Sequence, residues 1–98
     1  MDRAEKYFRD ALNRRPDYAE AANNLALVLV SKRETDAAVE LLESVLKKKP
    51  EYEPTYVTLA KIQASVGRTT NAIAVLQLLL QRNPKNEIAL ELLKQLKR

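Results

Sequence analysis

An all-α fold of antiparallel helix hairpins is what this sequence predicts, and three observations predict it. The chain is rich in Ala, Leu, Glu and Lys and holds one glycine in 98 residues, which suits helices better than sheets or open loops. Apolar residues recur at helical spacing in six successive runs, separated by prolines, a glycine or short polar breaks. Pro16, Pro50 and Pro84 stand 34 residues apart, and a fixed period of that length marks stacked helical repeats. Residues 19–52 hold one whole period: two amphipathic runs, a polar break at Ser31–Thr35, and the closing Pro50.

The first helix is expected over 2–14. Ala4, Phe8, Ala11 and Leu12 share one face, Asp2 and Glu5 near its start and Arg14 and Arg15 at its end suit the helix dipole, and Pro16 stops it. The second is expected over 19–32, with Ala22, Leu25, Ala26 and Leu29 inward. Thr35 or Asp36 is the predicted N-cap of the third, which runs to about Lys49 and turns Ala38, Val39, Leu42, Val45 and Leu46 inward. The fourth starts at Glu53–Pro54, since proline is tolerated in a first turn, and ends near Val66, because Gly67 suits a left-handed C-terminal turn. Thr69 is the predicted cap of the fifth, which reaches Arg82 before Asn83–Pro84, and Asn86 that of the last, Glu87 to Lys97. Loops this short require antiparallel neighbours.

Composition limits the function. A chain of 98 residues suits one domain. Without cysteine or histidine there are no disulfides, thiolate nucleophiles, Cys/His metal sites or imidazole acid–base chemistry, and no cofactor is expected. Lack of cysteine fits a reducing compartment, so a cytoplasmic protein is expected. No apolar run approaches the length of a membrane span, and MDRAEKYFRD lacks the apolar core of a signal peptide. Glu40 and Glu43 are a carboxylate pair one turn apart, but on a solvated face they have nothing to tune a proton transfer, and catalysis is not expected.

The pattern positions of residues 19–52 hold Ala22, Leu25, Ala26, Leu29, Ala38, Leu42, Val45 and Pro50; those of 53–86 hold Tyr56, Leu59, Ala60, Gln63, Ala72, Leu76, Leu79 and Pro84. In this the chain resembles the tetratricopeptide repeat family. Small residues where helices cross let the axes approach, and the large apolar residue beside them fills the gap. The resemblance implies a right-handed α-solenoid of six helices: residues 1–18 as the second half of a repeat, 19–52 and 53–86 as full repeats, and 87–98 as a capping helix. Ala4, Phe8, Ala11 and Pro16 match only a second half, and Leu90 and Leu93 only a first half. A segment of a longer array, or pairing with another copy, is therefore expected. Gln63 replaces a core apolar residue, so its amide is expected to find a partner or an edge. Lys94 fills a small-residue position and reads as a solvated end cap.

Members of this family bind proteins, and their first helices line a concave groove. Carried over, the resemblance implies a protein or peptide partner held by Asn23, Asn24, Leu27, Val30, Val57 and Lys61: Leu27, Val30 and Val57 as apolar anchors, the others as hydrogen-bonding groups. Glu20, Ser31, Thr58, Ala64, Ser65, Ile88, Glu91 and Gln95 complete the wall. The family's carboxylate clamp is not expected, because its positions hold Asn23 and Leu27, Val57 and Lys61, and Glu91 and Gln95. The asparagine ladder of some members begins at Asn24 but stops at Thr58 and Leu92.

The alternative is self-association, through the face of the first helix around Tyr7 and Phe8 or the outer face of the fifth. There the stripe Ala74, Gln77, Leu78 and Gln81 has lost its charge, and Leu78 is large and apolar. The net charge of +4 and the run Lys47–Lys49 invite a nucleic-acid reading. Acidic residues at the starts of the following helices offset that charge, and no aromatic interleaving supports base stacking, so nucleic acid is not expected.

Overall fold

The structure, a computed structural model, describes residues 3–98. Six helices follow in order: α1 (Arg3–Arg14), α2 (Ala19–Ser31), α3 (Thr35–Lys48), α4 (Glu53–Ser65), α5 (Thr69–Arg82) and α6 (Glu87–Leu96). No strand occurs among the described residues. Asp2, which the sequence reading places in the first helix, lies outside them.

The chain forms two compact units, Met1–Thr55 and Tyr56–Arg98. In the first, α2 packs against both α1 and α3. Ala22, Ala26, Ala38 and Leu42 are fully buried, and Leu25, Leu29 and Val45 nearly so. Leu12, Leu41 and Tyr52 close over Ala19, Ala22 and Val45. In the second unit α5 packs against α6, and Leu59, Ala60, Ala72, Leu76, Leu79 and Ala89 are buried. Alanine at close crossings and leucine beside it is the sequence pattern turned into packing.

The prolines punctuate by one device used three times. Backbone N–H groups of Tyr18, Tyr52 and Asn86 donate to the carbonyls of Arg15, Lys49 and Asn83 at 2.9, 3.2 and 3.1 Å. Each bond closes a turn with proline in its second position, where the fixed φ is already correct. At the third turn Asn83 Oδ1 also accepts from the Lys85 N–H at 3.2 Å.

The turns inside the hairpins are also alike. Glu34 N–H donates to Leu29 O and Arg68 N–H to Gln63 O, both at 2.8 Å; Arg33 N–H donates to Val30 O and Gly67 N–H to Ala64 O at 2.9 and 3.1 Å. This pair of bonds ends a helix through a left-handed residue. Gly67 has φ 83°, as its sequence predicts; Arg33 has φ 64° in the equivalent place, without glycine to announce it.

That closure corrects two predicted caps. The N-cap positions of α3 and α5 are Glu34 and Arg68, with no side-chain cap bond. Thr35 and Thr69 are already helical, because the chain leaves the left-handed residue and enters the next helix within two residues. The predicted Asn86 cap is present: its Oδ1 accepts from the Ala89 N–H at 2.9 Å.

Glu5 is the sole buried residue of α1 and is 3% exposed. The sequence reads it as a dipole charge. The structure seats it between Lys32 Nζ at 2.7 Å and Arg9 Nε at 3.0 Å. The hydrogen bond from Lys32, then that from Arg9, holds its carboxyl below the ordinary value. In return the bond to Glu5 raises the Lys32 ammonium.

Candidate functional groove

Within the second unit α4, α5 and α6 surround a cavity of about 280 Å³. Leu76 of α5, with Ala60 and Ala64 of α4, forms its floor, and Leu92 and Leu96 of α6 form the facing wall. Lys61, Ser65 and Gln95 stand at its polar margin. The room comes from small side chains: Ala64 occupies the position held by Val30 one repeat earlier. Ser65 Oγ donates to Ile62 O at 2.7 Å. Gln95 Nε2 donates to Glu91 Oε1 at 3.4 Å. Lys61 is exposed and has no ion-pair partner among the described residues.

The sequence-predicted wall residues divide between helices. On α2, Leu27 is 54% exposed, Asn24 and Val30 are half-buried, and Asn23 is nearly covered, its Oδ1 without a hydrogen-bond partner. On α4, Val57 is half-buried and Lys61 exposed. Of the full predicted wall, Lys61, Ala64, Ser65 and Gln95 meet at one cavity. Leu92 and Leu96 line it too, beyond the wall that the resemblance implies, and their i, i+4 spacing on α6 is the signal that places them together. Gln63 is buried, and its Oε1 does not find the partner expected of it.

The candidate self-association residues are open. Tyr7 is 67% exposed and meets the half-buried Phe8 edge to face, with centroids 5.5 Å apart. Leu78 is 51% exposed, and α6, although packed on α5, does not cover it. The basic run is partly neutralised at Lys49, which lies 3.9 Å from Asp17 and 3.7 Å from Glu51; Arg15 sits over the Tyr18 ring at 5.0 Å. Among the described residues no cluster of three or more acidic side chains could hold a metal ion, and no helix is long and apolar enough to cross a membrane.

Helical hairpins of one period define a helical-repeat protein. Two sequence models of one family, each described as tetratricopeptide repeat, match residues 1–53 and 29–96. The chain belongs to the tetratricopeptide repeat family, whose members are typically scaffolds for protein–protein interaction rather than enzymes. No curated protein matches the chain.

Proposed function

We propose that this chain is a non-enzymatic interaction scaffold that holds a peptide or helical segment of a partner protein in the α4–α6 groove. One observation carries the reading: an apolar floor and wall lie beside a polar margin of Lys61, Ser65 and Gln95. That combination suits an anchored side chain with its backbone and neighbours hydrogen-bonded at the rim. Val57 serves as a further apolar anchor of this unit; on α2 of the other unit, Leu27 and Val30 serve as apolar anchors and Asn23 and Asn24 as hydrogen-bonding groups of that unit's own binding face. The cysteine-free composition supports work in the cytoplasm. Affinity for peptides captured by the chain tests this, measured on Leu27→Asp, Val57→Asp and Ala64→Trp. We expect weakening in each. Affinity unchanged in all three removes the groove assignment.

A second reading is favoured by the exposed Tyr7 ring and by Leu78. A second copy covers one of these two surfaces and makes the chain an assembly module. Sedimentation at two concentrations decides it, since a single monomeric species at the higher concentration ends this reading.

A further inference from the structure

Resting on the groove reading, we infer that the segment bound there is an acidic amphipathic helix, which seats one aliphatic side chain against Ala64 and Leu92 and places a carboxylate on Lys61. Size speaks first. A volume of about 280 Å³ lies below the usual range of about 300–1,000 Å³ for small-molecule sites. It has room for an anchoring aliphatic side chain. The apolar lining asks for Leu, Ile or Met.

Charge speaks second. Lys61 is the charged side chain on the margin, and its ammonium has no ion pair among the described residues. An ammonium beside an apolar cavity offers three donors and no acceptor, so it recognises a carboxylate. Across the cavity the margin is different. Gln95 carries a hydrogen bond to Glu91, and that carboxylate disfavours a second acidic group on the α6 side. The groove therefore has a direction: acid toward α4, neutral or basic toward α6.

Spacing speaks third. Lys61 lies three and four residues before Ala64 and Ser65 on α4, so the cation and the small-residue opening are one helical turn apart. A helical partner matches this when its aliphatic residue and its Asp or Glu are themselves three or four residues apart. This is also a side-chain carboxylate, distinct from the chain-terminal carboxylate that a clamp would grip.

The test is selection of binders from a random peptide library displayed on phage, panned on the full chain. We expect enriched sequences with Leu, Ile or Met three or four residues from Asp or Glu. Lys61→Glu should weaken them about tenfold, and replacing the peptide's acid by lysine should restore affinity for that variant. Ala64→Trp should abolish binding, and Gln95→Trp closes the cavity from the α6 side should Ala64→Trp not fold. Peptides lost on filling the cavity yet indifferent to Lys61→Glu would remove the acidic partner while leaving the groove reading intact. Peptides indifferent to both tryptophans, or a failure to enrich any sequence, would remove both.

Discussion

The turn between α2 and α3 and the turn between α4 and α5 make the same backbone bonds with different residues. Each preceding helix ends through a left-handed residue, with paired bonds within 0.2 Å of one another in length. Ser31 and Ser65 each bond back to the carbonyl three residues earlier, at 2.6 and 2.7 Å. Yet one left-handed position is Gly67 and the other Arg33. The difference teaches that the hairpin is specified by where backbone donors find acceptors. Glycine makes that geometry cheap, but a non-glycine residue adopts it when the surrounding bonds demand it.

The helices packed in each unit show a second contrast. Through α5 the second unit buries Ala72, Val75, Leu76 and Leu79. In the first unit α1 buries only Glu5; its Ala4, Phe8, Ala11 and Leu12 remain half-buried. Glu5 stands in the register of Val39 and Ile73. An ion pair thus occupies a place held by an apolar side chain in the other two second-half helices, buried at Val39 and half-buried at Ile73. Such a contact adds little where solvent screens it, but removing one partner of a covered pair strands the other.

The largest effects test whether the two units have equivalent cores. Leu42 and Leu76 are equivalent and fully buried. Leu42→Ala and Leu76→Ala should each cost about 2–5 kcal/mol in denaturant unfolding; a loss confined to one of them breaks the equivalence.

Glu5→Gln should lower the melting temperature by less than either leucine truncation, and change its acid dependence. Because the Glu5 pKa is lowered from 4.5, its contribution is present above that value and is lost as pH falls through the folded-state value. Lys32 is raised from 10.5, so its contribution is present below that value and disappears as pH rises through the folded-state value. Thermal melts across the acid range should be flatter for Glu5→Gln than for the parent chain. Identical profiles would show that the pair does not hold α1.

A reciprocal exchange sharpens the comparison of turns. Gly67→Arg should destabilise by about 1–2 kcal/mol. A Cβ there would meet nothing within 4 Å, so the cost is one of backbone conformation alone. Arg33→Gly should be nearly neutral or stabilise by up to about 1 kcal/mol, because relief of the left-handed strain is offset by extra freedom in the unfolded chain. Gln63→Leu, which restores the residue type of Leu29 one repeat earlier, should stabilise by about 1 kcal/mol or more. Chemical denaturation measures all three.

Much of the fold was legible because its signals are local. The three prolines, Gly67 and the Asn86 cap each act within a few residues, and helical periodicity set the inward faces. What escaped depends on distance. The bond between Glu5 and Lys32 spans 27 positions, and nothing in the α1 pattern distinguishes a buried carboxylate from one at a helix start. Arg33 carries no residue-type signal for its positive φ, and a threonine two residues after a left-handed position cannot be told by residue type from an N-cap. At the site, the resemblance to the repeat family implied a wall that includes Lys61, Ala64, Ser65 and Gln95, and these four line one cavity. The cavity was hidden, because it exists only where Ala64 leaves room against Leu92 and Leu96.

Hydrogen–deuterium exchange on the chain with and without a display-selected peptide tests the central claim most directly. Binding in the groove predicts slowed exchange over residues 60–65 and 92–96, with α1 unchanged. Slowed exchange over 3–14 or along the Leu78 face of α5, with residues 60–65 unaffected, would contradict it.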